Sequence, residues 1–432
     1  MYDPKKRLES KDAAAQTSEV PHRRNTVPLQ LRVPEPPARP GEAADFSGVV
    51  VPAAGGMRRP DVRCNPDQMR DLAYGLVRVL DDSGVAVGPW APKLDLAVLK
   101  RGLRVMMMTR VYDDCMFRAQ RQGKTSFYMK CTGEEAVATA AAFALDDSDM
   151  LFPSYRQQAL LLARNWPMLD MMNQIYSNAG DRLKGRQLPV CYSSKAAGFF
   201  SISANLATQF PQAVGWAMAS AISGDTRIAA AWIGEGATAE GDFHHALTFA
   251  ATYRAPVILN IVNNQWAISS FQGIAGGDEA PFAARGIGYG LPSLRIDGND
   301  FLAVYAATQW AAERARSNLG ATLIEHFTYR REAHSTSDDP SRYRAADEKD
   351  KWPLGDPIER LKQHLIGRGS WTEAEHAVLQ EAIEREVKAL QREAEAIGTL
   401  HTGEKPGRAT MFEDVYKDED WRMRKQRQLF GY

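Results

Sequence analysis

Apolar side chains at Leu96, Leu99, Leu103 and Met107 fall on one face of a 3.6-residue period, which predicts a long amphipathic helix over residues 93–122. The same spacing predicts helices at 66–80, 133–145, 157–176, 208–222, 237–253 and 301–317. Between the later helices stand short continuous apolar runs. Arg227 to Ile233, 257–262, 293–296 and 322–328 read as buried strands. Strand and helix alternating in this way predict an α/β fold with a doubly wound, mainly parallel sheet. Residues 149–154 read as a turn, and 185–203 as a loop long enough to expect a binding role. Beyond Arg344 the chain turns charged and helical. There Thr372 and Glu375 have capping-box spacing, and Leu379, Ile383, Val387 and Leu390 form a stripe that should pack on the sheet domain or on another subunit. The expected division is a Pro-rich extended or disordered arm (1–60), a helical lead-in packed on the core (61–200), an α/β core (201–350) and a helical C-terminal region (351–432).

Composition narrows the function classes. The chain has 432 residues, 44% of them apolar, enough for a sizeable core. Lys plus Arg and Asp plus Glu both number 53, so no global field draws the chain to nucleic acid or membrane. Cys64, Cys115, Cys131 and Cys191 are too far apart for a zinc or redox motif. No run has the length of a membrane span. Asp3, Glu9, Asp12 and Glu19 interrupt the basic N-terminus in a way that does not suit a mitochondrial transit peptide, so a cytoplasmic protein is expected.

The chemistry gathers at strand ends. Gly234-Glu235-Gly236 closes one predicted strand and opens a helix, where a flexible backbone and unpaired N–H groups suit a phosphate. Glu235 would repel that phosphate unless a hard divalent cation bridged the two, a role suited to magnesium. Asn263 and Asn264, at the end of the next strand, can offer an amide oxygen to the same ion. A dinucleotide site is the rival reading, but the run ends in Ala239 and the next strand ends in amides rather than the ribose-binding acid. Tyr155 and Arg156 open another helix, and His334 lies on a loop leaving the same sheet edge. The His can serve as a proton donor near neutrality or as a hydrogen-bond donor to diphosphate. Each of these side chains alone would read as solvated polar surface.

From Phe46 onward the chain resembles the alpha family of the thiamine diphosphate-dependent 2-oxoacid dehydrogenases, above all its branched-chain branch. The likeness is densest in Ser126-Phe-Tyr-Met129, Gly133-Glu-Glu135, Phe152 to Arg156, Asn205 to Gln209, Gly234-Glu-Gly236, Asn263 to Ser269, Arg295 to Asp300 and His334 to Asp339. The resemblance implies the thiamine diphosphate-binding fold, thiamine diphosphate with Mg2+, and a branched-chain 2-oxoacid substrate. Glu235, Asn264 and the carbonyl of Trp266 then match the magnesium ligands. Gly234, Gly236, Ala237 and Ile268 match the lining of the cofactor, and Tyr155, Arg156 and His334 bind its diphosphate end. His334 also matches the acid in acyl transfer to a lipoyl group, Phe127 and Leu206 match apolar walls near the reacting ring, and Ser203, Asn205, Thr208 and Gln209 fall where some relatives hold K+.

Departures are visible as well. Relatives often carry Arg where Val262 stands, Ser where Ala204 stands and a second His where Ala333 stands, while Ser335 aligns with a site phosphorylated in some of them. The region before Ser203 contains no second strand series for the pyrimidine end of the cofactor. The resemblance therefore implies a beta subunit that completes the site in a heterotetramer of two alpha and two beta chains, and a lipoyl-bearing acyltransferase core as next partner. Within the family a pyruvate or acetoin dehydrogenase is the runner-up, and outside it a nicotinamide oxidoreductase or a non-catalytic scaffold.

Overall fold

A computed structural model describes residues 30–414 and 416–432, and the chain divides into residues 1–33 and 34–432. The second unit is built on a parallel sheet of β1 (Met150–Phe152), β2 (Ala229–Gly234), β3 (Val257–Asn263), β6 (Ser293–Asp297) and β7 (Thr322–Phe327), in the order β1-β2-β3-β7-β6. Two-residue strands form small antiparallel pairs beside it: β4 (Trp266–Ala267) with β5 (Ser270–Phe271), and β8 (Gly398–Thr399) with β9 (Thr402–Gly403). The central strands are apolar on both faces because helices cover both. Ala230 and Trp232 enter one core with the helices Leu96–Arg121, Glu135–Ala144 and Phe301–Arg316, whereas Ala229, Ala231 and Ile233 enter the other with Gln209–Ile222 and Gly241–Thr252.

Register decides where the chemistry lies. Gly234 pairs with Val262, and Asn263 with Phe327, so three strands end level and release Glu235, Asn264 and Thr328–Arg330 at one edge.

Several expectations need correction. Residues 150–152 are a strand paired with Ala229 to Ala231, not part of a turn. The helix expected at 66–80 is a 3-10 turn, Pro66–Met69, and one short helix, Arg70–Tyr74, ended by Gly75; Val77 then bridges to Ile296. Asn165 at φ 56° and Pro167 split 157–176 into Gln158–Ala163 and Met168–Tyr176. The helix after Gly236 begins only at Gly241, because Glu235–Ala239 is a 3-10 turn and Glu240 is extended. In the 185–203 loop Val190, Cys191, Tyr192, Phe199 and Ile202 are buried and anchor it to the core, while its last residue, Ser203, lines the cleft described below. The helix Glu373–Ile397, capped by Thr372 Oγ1 accepting from Glu375 N at 3.1 Å, packs on Leu96–Arg121 and Met168–Tyr176 rather than on the sheet. Of the arm, residues 1–29 lie outside the described residues. Residues 34–60 contain no helix or strand, and they attach to the body through Ala38, Ala44 and Phe46. Among the described residues no helix is long and apolar enough to cross a membrane, and all four cysteines are free.

Candidate active site

At the level edge of the sheet lies an open cleft of about 220 Å³. Tyr155, Arg156, Ser203, Asn205, Leu206, Gln209, Gly234, Glu235, Gly236, Ala237, Asn264, Trp266, Ile268 and His334 all line it, although they come from five separate stretches of chain. Phe127 and Thr208 do not. Phe127 packs against the helical core, and Thr208 Oγ1 turns to Asp242 at 3.4 Å. Asn263 also turns away, donating to Glu325 Oε1 at 2.8 Å and Gln272 Oε1 at 3.0 Å, because successive strand residues face opposite ways.

One wall is acidic. Glu235 is 1% exposed; its Oε2 accepts from Asn264 N at 3.4 Å, and its Oε1 has no partner. Glu134, which sequence reasoning gave no role, accepts from Asn264 Nδ2 at 2.8 Å through Oε1 and leaves Oε2 unpartnered. Burial raises both carboxyls to about 7, against the pull of nearby guanidinium groups. Two buried carboxylates with idle oxygens beside an amide oxygen suit a hard divalent cation. Among the described residues no three His, Cys, Asp or Glu side chains gather for a metal.

Cationic groups line the same cleft. Arg156 Nη2 lies 2.9 Å from His334 Nδ1 and also donates to the His334 carbonyl. Arg330, likewise given no role beforehand, is 1% exposed. It donates to Trp266 O at 2.7 Å, Ile268 O at 2.8 Å, Tyr343 Oη at 3.1 Å and Glu332 O at 3.2 Å, and reaches His334 Nδ1 at 3.3 Å. Its signal was present: the residue lies just beyond the end of β7, at the same sheet edge. Burial, then these two guanidiniums, push the His334 imidazole down to about 2. The ring is therefore neutral with Nδ1 as acceptor, which assigns its hydrogen to Nε2. In the free protein it is a hydrogen-bond donor rather than an imidazolium.

The turn joining the walls is strained. Gln265 (φ 77°), Ile268 (φ 55°) and, across the cleft, Ala207 (φ 61°) hold left-handed conformations without being glycine. Gly236 is required by packing, since a Cβ there would meet Ala267 Cβ at 2.5 Å, whereas nothing lies within 4 Å of a Cβ on Gly234. Near the mouth, Ser203 O accepts from Gln209 Nε2 at 3.2 Å and Gln209 Oε1 has no partner.

Known proteins match this chain closely. The family described as dehydrogenase E1 component matches residues 103–402, and that described as 2-oxoisovalerate dehydrogenase E1 alpha subunit N terminal matches residues 27–67. The 2-oxoisovalerate dehydrogenase subunit alpha of Pseudomonas aeruginosa is 62% identical over 404 residues, covering 94% of this chain and 98% of that protein. The human mitochondrial 2-oxoisovalerate dehydrogenase subunit alpha is 39% identical over 360 residues, 82% of this chain and 78% of that protein. A mitochondrial subunit alpha 2 from Arabidopsis thaliana is 38% identical, over 82% of this chain and 74% of its own length. The chain belongs to the dehydrogenase E1 component family, in its branch of 2-oxoisovalerate dehydrogenase alpha subunits.

Proposed function

We propose that this chain is the alpha subunit of a branched-chain 2-oxoacid dehydrogenase, holding the diphosphate and Mg2+ of thiamine diphosphate in the cleft. The observation that carries the reading is that one cleft gathers Glu235, with an idle buried oxygen, and Arg156, Arg330 and His334. A metal diphosphate is the ligand whose two poles match them. Glu235, Asn264 Oδ1 and the Trp266 carbonyl would hold the cation, and Tyr155, Arg156 and His334 Nε2 the diphosphate. Gly234 and Ala237 leave room beside it. Bound thiamine diphosphate supplies the electron sink for decarboxylation. Leu206 and Ile268, 48% and 54% exposed at the mouth, would exclude water near the aliphatic acyl group. For His334 to deliver a proton when that group passes to a lipoyl arm, the bound diphosphate anion would first have to offset the two guanidiniums and restore the basicity of the ring.

The cleft is smaller than the roughly 300–1,000 Å³ usual for cofactor pockets, which supports completion by a beta subunit in an assembly of two alpha and two beta chains. A lipoyl acyltransferase core would take the product acyl group, in the cytoplasm. K+ beside Ser203, Asn205 and Gln209 is part of the same reading. To test it, Mg2+ and thiamine diphosphate are titrated into the chain purified with its beta subunit, following tryptophan fluorescence and 2-oxoacid turnover. We expect saturable, mutually dependent binding that is lost in Glu235→Ala, and turnover of branched-chain 2-oxoacids well above pyruvate. Preference for pyruvate would reassign the substrate. Tight NAD binding indifferent to thiamine diphosphate would refute the reading.

A further inference from the structure

We infer that Glu134 is a positioning residue that decides which end of the Asn264 carboxamide faces the metal, an inference that rests on the metal site proposed above. The two ends of a carboxamide have nearly the same shape, so neighbours choose between oxygen and nitrogen. Here Glu134 Oε1 accepts from Asn264 Nδ2 at 2.8 Å, and Trp266 N donates to Asn264 Oδ1 at 3.3 Å. The carboxylate can only take the N–H end, which leaves the oxygen end for a cation. Its own position is fixed by the backbone before the helix Glu135–Ala144. Gly133 stands at φ 99°, where a Cβ would meet the Tyr329 carbonyl at 2.3 Å, and Glu134 N donates to Cys131 O at 2.8 Å.

The adjacent acid is a useful contrast. Glu135 is bound to Arg110 at 2.7 Å, and its charge is matched in a structural ion pair. Glu134 is equally enclosed, at 3% exposure, yet no ion pair holds it and its Oε2 is unpartnered. A carboxylate kept buried in that state is explained by what it does for Asn264. Outer-shell partners of this kind typically change metal affinity about 10–100-fold when removed.

The test uses the chain with its beta subunit, saturating thiamine diphosphate, and Mn2+ in place of Mg2+, with free Mn2+ read by electron paramagnetic resonance. Glu134→Ala is expected to raise the Mn2+ Kd about 10–100-fold. Glu134→Gln retains an acceptor oxygen at the same reach but also offers an N–H end that fits the flipped amide, so it should recover only part of the affinity. Glu134→Asp keeps the charge but withdraws it from Asn264, so it should resemble the Ala variant; it also carries the test if Glu134→Ala fails to fold. In the Asn264→Ala background, Glu134→Ala should add nothing, because it acts through that amide. Unchanged affinity in both Glu134→Ala and Glu134→Asp, with Asn264→Ala weakened, overturns the inference alone. Additive effects in the double variant do the same. Unchanged affinity in Asn264→Ala and Glu235→Ala would overturn the metal site itself, and this inference with it.

Discussion

Gly234 and Gly236 stand two residues apart and are glycine for different reasons. A methyl group on Gly236 would strike Ala267, so Gly236→Ala must push away the turn that carries Asn264 and Trp266. Overpacking of that kind costs about 1–3 kcal/mol. Gly234 has φ −75°, accessible to any residue, and the space beside it is the cleft. Gly234→Ala should therefore melt at the wild-type temperature yet bind thiamine diphosphate more weakly, while Gly236→Ala should lose melting temperature even without ligand. Calorimetry with and without cofactor separates the two, and equal melting losses would contradict the packing account. The sequence motif alone suggested one role for both, a backbone open to phosphate. Their difference depends on Ala267, which the fold brings against Gly236 alone.

Elements were legible where their apolar runs were long. β2 and β3 are runs of Ala, Trp, Val, Ile and Leu, interrupted within β3 by Asn260 and closed by Gly234 and Asn263, with both faces covered, and they lie within one or two residues of their expected bounds. β1 has three residues at the sheet edge, too few for any period, so only its pairing with Ala229 to Ala231 reveals it. Glu134 meets Asn264 across 130 positions, a contact that no local pattern encodes. β7 hides a further polar device. His326 is fully buried on it, Nε2 lying 2.8 Å from Asn260 Oδ1 on β3, while Asn260 Nδ2 donates to Ala231 O on β2 at 3.1 Å. Burial lowers this imidazole from 6.5 to about 3. Between those values the unfolded chain takes up a proton that the folded chain refuses. The His326 contribution is thus complete above pH 6.5 and is lost as pH falls toward 3, by at most about 1.4 kcal/mol per pH unit. His326→Gln retains an N–H for Asn260 and removes the titration. Its denaturant-unfolding free energy should fall less steeply than wild type across that window, and parallel curves would show that His326 does not carry the dependence.

At the scale of the whole molecule, the arm and the cleft share one chain of contacts. Phe46 meets Tyr329 and Trp352 edge-on at 6.3 and 5.4 Å between ring centroids, and those two rings stack at 5.2 Å. Tyr329 Oη donates to Glu348 Oε1 at 3.0 Å, and the same oxygen accepts from Trp266 Nε1 at 2.6 Å. Farther out, Asp347 accepts from Ala44 N at 3.0 Å and Lys351 donates to Ala44 O at 3.1 Å. The arm thereby braces Trp266, whose carbonyl the proposal assigns to the cation, without lining the cleft. Aromatic pairs contribute about 0.5–1.5 kcal/mol each beyond the area they bury. Phe46→Ala removes two such pairs and substitutes no cleft residue. It should therefore cost about 1–3 kcal/mol in stability, speed amide exchange in the 264–268 turn, and weaken Mg2+ binding several-fold with little change in branched-chain 2-oxoacid KM. Hydrogen exchange read by mass spectrometry checks the turn directly. Faster exchange confined to residues 34–60, with 264–268 as protected as in wild type, would mean that the arm is anchored to the body but does not brace the site.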